Sequence, residues 1–165
     1  MCQVIEKYYH VPDGTEIMME CLKRVREKLA LHVPIKKGTV EILEAFQKAG
    51  LRMAVASSST QEQIRANLRN AGIEGYFDKL VSGSEVAHGK PAPDIFLYAA
   101  EQLGLQPEEC FIFEDSENGI RSGHAAGCVT VMVPDLFTPS QEILPCCSYI
   151  YPDLLQARDG LLNLS

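Results

Sequence analysis

The 165-residue chain lacks the features that identify several common protein classes. No apolar run approaches the roughly 18 residues of a membrane span, and no basic-then-apolar signal opens the chain. We therefore expect a cytoplasmic protein with no membrane contact. The net charge of -7 argues against a nucleic-acid-binding surface. No Gly-x-Gly-x-x-Gly turn follows a predicted strand, which excludes a dinucleotide-binding domain.

The cysteines and histidines show no metal-ligand spacing. The six cysteines contain no Cys-x-x-Cys pair, so a zinc site has little support. Cys110 and Cys128 each open an apolar, strand-like run, where a reduced thiol acts as a small hydrophobe. The neighbouring Cys146 and Cys147 are either a redox-sensitive pair or two separate thiols. The four histidines are interpreted as structural or surface residues.

Helical and alternating patterns divide the chain near residues 33–38. Before this point apolar residues recur at helical spacing, and charged residues occupy the other face. After it, helices are predicted at 39–49, 60–71, 93–103, 117–126 and 152–162, and strands at 51–56, 79–82, 110–113, 128–133 and 149–151. This alternation predicts an α/β fold with a doubly wound parallel sheet over 34–165, after a helical segment over 1–33.

An acid pair follows the third predicted strand, where Phe113 leads into Glu114 and Asp115. Ligands of doubly wound sheets bind outside the carboxyl ends of the strands, and two adjacent carboxylates favour a cation. The alternative is a solvated loop in which Asp115 or Ser116 is the N-cap of the next helix.

Hydroxyl groups follow the first predicted strand, in the run Ser57-Ser58-Ser59-Thr60. Hydroxyls and free backbone N–H groups at a helix N-terminus can bind a phosphate. In the alternative interpretation the run only caps the helix, with Ser59 or Thr60 as the N-cap.

A lysine follows the second predicted strand, in Gly89-Lys90-Pro91. The flanking glycine and proline predict a stiff turn, from which Lys90 can neutralise a phosphate. Alternatively, Lys90 is an ordinary exposed lysine before a helix that begins at Pro93. Hydroxyls, a cation and an acid pair on successive βα units suit Mg²⁺-assisted phosphoryl transfer.

With these motifs, residues 1 to about 150 resemble the haloacid dehalogenase superfamily, in its β-phosphoglucomutase and phosphoglycolate phosphatase-like branch. The matching segments are 55–59, 89–96 and 113–120, with weaker similarity at 125–127 and 131–134. A phosphoacceptor receiver domain is set aside, since its acid pair lies on the first strand. Here the pair comes after both Ser57 and Lys90.

The resemblance implies a Rossmann-like core over 34–165 and a partial helical cap over 1–33. It also implies roles for five residues. Ser57, Ser58 and Lys90 would bind the phosphoryl group, with Lys90 also paired to a nucleophilic aspartate. Asp115 would coordinate Mg²⁺, and Glu114 would be a further ligand or an acid behind the ligands.

The family's Asp-x-Asp-Gly-Thr segment, which holds the nucleophile, is missing from this sequence. Asp13-Gly14-Thr15 is rejected as a substitute because no apolar strand precedes it. Asp13 is interpreted instead as a helix N-cap, with Glu16 as its capping partner. The first strand of the family's sheet would lie between the strands that end at Ser57 and Glu114. Without it, either the sheet closes directly, or another chain fills the gap by self-association, or the sequence is a fragment.

Two functions remain open from the sequence. The first is a phosphatase or phosphomutase of this superfamily that acts on a small phosphorylated metabolite. It would be inactive or impaired as this chain, because the covalent route has no nucleophile. The second is a non-catalytic module that binds a phosphorylated ligand or another protein.

Overall fold

A computed structural model describes residues 2–136 and 138–162 of the chain, with side chains from residue 5 onward. The chain divides into two compact units, Met1–Pro34 and Ile35–Ser165. None of the helices in the described ranges combines the length and hydropathy that crossing a lipid bilayer requires.

The first unit consists of helices α1 (Cys2–Tyr9) and α2 (Thr15–Leu31). The predicted cap of α2 by Asp13 and Glu16 is wrong, because the N-cap residue is Gly14 and no side chain caps the helix. The Asp13 carboxylate instead accepts a hydrogen bond of 2.8 Å from the backbone N–H of Thr15, only two residues on. This local bond forms a turn, and the helix begins after it.

The second unit alternates strands and helices, which confirms the predicted α/β class. Its strands are β1 (Ala54–Ser57), β2 (Lys79–Ser82), β3 (Phe111–Glu114), β4 (Val129–Met132) and β5 (Tyr149–Ile150). Its helices are α3 (Thr39–Lys48), α4 (Gln61–Asn70), α5 (Asp94–Leu103), α6 (Glu117–Ala125) and α7 (Leu154–Leu162). Short 3-10 turns lie at Glu74–Tyr76, Gly83–Glu85, Pro107–Glu109 and Leu144–Cys146.

The strands form two parallel sheets, one of β1 and β2 and one in the order β3-β4-β5. Direct closure of the sheet between the strands that end at Ser57 and Glu114 is therefore wrong, since β1 and β3 lie in different sheets. Strands of a parallel sheet are normally buried on both faces. Here β1 is only half-buried along its length, and Phe111 of β3 is 48% exposed.

Two of the buried clusters hold α3, α5 and α7 against these sheets. Ile42 and Leu43 of α3 belong to one cluster with Val131 of β4 and Ala157 of α7. Another cluster unites Val81 of β2 with residues of α5 and with Ala126 and Cys128, which precede β4. The second cluster fixes the start of α5 and therefore the loop 86–93 that enters it.

The described cysteines are free thiols with unequal access to solvent. Cys128 is buried, as expected of a small hydrophobe, and burial raises the pKa of its thiol to about 11. Cys21 lies exposed on α2.

We expect iodoacetamide to alkylate Cys21 at least about tenfold faster than Cys128 at neutral pH, because only the thiolate reacts and the buried thiol is hardly ionised. Peptide mass spectrometry over a time course measures both rates in the same sample. Equal rates for the two residues would contradict this assignment of burial.

Candidate active site

Lys90 lies in the loop between β2 and α5, and its side chain is only 12% exposed. Its Nζ forms an ion pair with Oε1 of Glu114 and donates a hydrogen bond of 3.2 Å to the carbonyl oxygen of Ala56. The same Nζ lies 4.6 Å from the centroid of the Phe96 ring, whose face attracts cations. The ammonium therefore connects β1 with β3, although these strands belong to different sheets.

Glu114 is the last residue of β3, and its carboxylate is held on both sides. While Oε1 is paired with Lys90, Oε2 accepts a hydrogen bond of 3.1 Å from Oγ of Ser116. Ser116 is the N-cap of α6, a role that the sequence left open between Asp115 and Ser116, and its Oγ accepts the N–H of Gly119 at 3.1 Å. A Cβ at position 119 would overlap the Glu114 carboxylate, so the glycine leaves the space that this acid fills.

Asp115 is paired with a second lysine, Lys36, which no sequence motif predicted. Nζ of Lys36 lies 3.4 Å from Oδ2 of Asp115 and 2.8 Å from Oδ2 of Asp135. Asp135 follows β4 by three residues, so the rule that ligands bind beyond strand ends could have found it. Lys36 gives no such signal, because it precedes α3 and meets the acids only through the fold.

Ser57 ends β1, and its Oγ accepts a hydrogen bond of 3.2 Å from the backbone N–H of Ser59. The N-cap of α4 is Thr60, which forms a reciprocal capping box with Gln63. The first two serines therefore lie outside the cap. Ser57 follows Ala56, whose carbonyl group binds Lys90.

The five predicted site residues thus lie at the carboxyl ends of β1 and β3 and in the loop after β2. The structure brings Lys90 and Glu114 into direct contact, whereas the carboxylate of Asp115 is paired with Lys36. Within residues 2–136 and 138–162, no three acidic, histidine or cysteine side chains converge on one point that could hold a metal ion.

The donor set fits Mg²⁺ in part. This ion is commonly held by one or two carboxylates together with waters and phosphate oxygens, and Glu114 and Asp115 are adjacent carboxylates. Gly119 lacks the Cβ that would overlap the Glu114 carboxylate, so this acid has room beside α6. A cleft of about 300 Å³ opens beside the pair, lined by Lys36, Phe113, Glu114, Asp115, Val133 and Leu154. Acids, ammonium and hydroxyl together can oppose the charges of a bound phosphate and its counter-ion.

The chain is similar to known proteins of one family. The model of the haloacid dehalogenase-like hydrolase family matches residues 2–133. The phosphorylated carbohydrates phosphatase of Thermotoga maritima is 37% identical over 129 residues, which are 70% of this chain and 60% of that protein. Protein CbbY of Rhodobacter capsulatus is 35% identical over 130 residues, 76% of this chain and 56% of that protein.

Solved structures show the same fold. CbbY from Rhodobacter sphaeroides, in complex with phosphate, has a TM-score of 0.66 at 29% identity, over 72% of this chain and 54% of that chain. A haloacid dehalogenase-like protein from Agrobacterium tumefaciens has a TM-score of 0.83 at 21% identity, over 98% of this chain and 75% of that chain. The chain spans 56% and 60% of the lengths of the two curated relatives above. It belongs to the haloacid dehalogenase-like hydrolases, in their phosphoglucomutase- and phosphatase-like branch.

Proposed function

We propose that this chain forms the phosphate- and Mg²⁺-binding half of a phosphoryl-transfer hydrolase, of the phosphatase or phosphomutase type. The observation that carries the proposal is the largely buried ammonium of Lys90, which binds the carbonyl group of Ala56 in β1 and the carboxylate of Glu114 in β3. An ammonium in that position attracts an anion and holds its charge away from water.

The proposed roles follow from these positions. Lys90 offsets the charge of the phosphoryl group, while the Ser57 hydroxyl and the Ser58 N–H orient its oxygens. Asp115 would hold the Mg²⁺, with Glu114 as a further ligand or an acid behind the ligands, and the ion would withdraw charge from a phosphate oxygen. Relatives named as phosphatases of phosphorylated carbohydrates and of fructose 1-phosphate support a small sugar phosphate as the substrate class.

The nucleophile is not among these 165 residues, because no Asp-x-Asp-Gly-Thr segment occurs in the sequence. We propose that such a segment belongs between β1 and β3, where Lys90 now binds Glu114 instead. Residues 1–33 are proposed to form part of a helical cap. On this basis the chain binds phosphate and Mg²⁺ but turns over little or no substrate alone.

We expect Mg²⁺ and inorganic phosphate together to raise the Tm of the chain, since a ligand that binds only the folded state stabilises it. Asp115→Asn and Ser57→Ala should reduce this rise, whereas the exposed control Glu142→Gln should retain it. Hydrolysis of p-nitrophenyl phosphate should stay at background in every variant. Differential scanning fluorimetry and absorbance assays make these measurements.

Two results would contradict the proposal. Absence of any rise in Tm would argue against the binding site, and Mg²⁺-dependent hydrolysis lost in Asp115→Asn would contradict the lack of turnover. A fusion of the chain to an apolar strand ending in Asp-x-Asp-Gly-Thr separates the two functions. Turnover by the fusion supports the hydrolase, and phosphate binding without turnover supports the non-catalytic module.

A further inference from the structure

The ammonium of Lys36 is paired with two carboxylates beside the proposed cation site. Nζ of Lys36 is 2.8 Å from Asp135 and 3.4 Å from Asp115, and all three side chains are partly exposed. The attraction between two charges weakens as the distance between them grows. The ion pair of Lys36 with Asp135 is therefore the closer of the two, and the contact with Asp115 is the longer one.

We propose that Lys36 is the counter-ion of Asp115 and that Asp135 competes with Asp115 for the Lys36 ammonium. The Lys36–Asp135 ion pair thereby sets the affinity of Asp115 for a divalent cation. This inference rests on the proposed function, in which Asp115 is the cation ligand. A divalent cation bound at Asp115 would repel an ammonium at the present distance. Binding therefore requires that Lys36 withdraws or remains at an electrostatic cost.

Lys36 can withdraw because of its surroundings. Its side chain is 35% exposed and already forms an ion pair with Asp135, so it keeps a partner when it moves away from Asp115. The other lysine of the site differs in this respect. Lys90 and Glu114 are both 12% exposed, and separating them would leave two desolvated charges. Of the two acids, Asp115 is thus the one that exchanges an ammonium for a metal ion at low cost.

Asp135 could act as the partner of Lys36 or as a metal ligand, and these two roles predict different effects of its replacement. If Asp135 holds Lys36, Asp135→Asn returns the ammonium to Asp115 and weakens cation binding. In a Lys36→Met background the same change then has no effect. If Asp135 is itself a metal ligand, Asp135→Asn weakens binding by the same factor in both backgrounds.

The test measures Mn²⁺ binding to the whole chain, with the metal alone as the probe, by isothermal titration and by the electron paramagnetic resonance signal of free Mn²⁺. Lys36→Met should bind about threefold to tenfold tighter than wild type, and Asp135→Asn about threefold weaker, as expected for partly exposed ion pairs. Lys37→Met is the matched control, because this neighbouring lysine pairs with Asp153 and should leave the affinity unchanged.

Equal or weaker binding by Lys36→Met overturns the inference, as does an equal loss from Asp135→Asn in both backgrounds. If Asp115→Asn abolishes binding while Lys36→Met leaves it unchanged, only the inference fails and the proposed cation site stands. If no variant binds Mn²⁺, or if Asp115→Asn binds like wild type, the inference fails together with the cation site of the proposed function.

Discussion

Lys90→Met is expected to lower the free energy of unfolding by about 3 kcal/mol, the lower part of the range for breaking a buried ion pair from one side. Among the described residues, the change leaves the Glu114 carboxylate, 12% exposed, with the Ser116 hydroxyl as its remaining hydrogen-bond partner. It also removes the hydrogen bond to Ala56 that connects β1 with β3. Urea unfolding followed by circular dichroism measures the loss.

Lys48→Met is the matched control, because Lys48 ends α3 on the exposed surface and its replacement should cost less than about 0.5 kcal/mol. The double variant Lys90→Met/Glu114→Gln removes the unpaired charge together with the lysine. The double variant should lose less unfolding free energy than the sum of the losses of Lys90→Met and Glu114→Gln. Each single change leaves one charge without its partner, whereas the double change does not. Additive losses would contradict a direct coupling between the two residues.

Gly38→Ala is expected to destabilise the chain by about 3 kcal/mol, from backbone strain and overlap combined. Gly38 precedes α3 with φ +87°, in the left-handed region that favours glycine. A Cβ there would also overlap the backbone nitrogen of Leu155 and lie 2.8 Å from its Cγ. The substitution should therefore separate α3 from α7, and urea unfolding measures the loss.

Gly50→Ala separates the two causes. Gly50 also has a left-handed backbone, with φ +73°, but a Cβ at this position would have no heavy atom within 4 Å. Gly50→Ala should lower the free energy of unfolding only by the conformational cost of about 1 kcal/mol. Equal losses at the two glycines would mean that overlap with α7 contributes nothing.

Helix ends were predictable where a single residue, such as a glycine or a capping threonine, marks the end of the helix. Gly50 and Gly104 follow α3 and α5 closely, as predicted, and Thr60 caps α4 through its own side chain. Strand ends shifted by up to three residues. The first strand was predicted over 51–56 and lies at Ala54–Ser57, because its bounds depend on pairing with β2. Apolar runs carry no information about that register.

The same distinction applies to the candidate site. Lys90 and the Glu114–Asp115 pair were predicted as site residues because each lies in a short motif with unusual neighbours. The contacts of Lys36 with Asp115 and Asp135 were missed because they join segments about 80 and 100 residues apart. The capping error at Asp13 was local, since its carboxylate formed a turn with Thr15 instead of a cap.

The contact between α3 and α7 has a consequence for the protein while it is being made. Lys37 binds Asp153 by its side chain, and its carbonyl accepts the N–H of Leu154 at 3.3 Å, across 116 residues or more of sequence. On the ribosome, α3 therefore emerges long before its partner helix. Ile42 and Leu43 can pack with Met53 and Ile73 soon afterwards, but the part of their cluster that Val131 and Ala157 cover stays exposed until those later segments are translated.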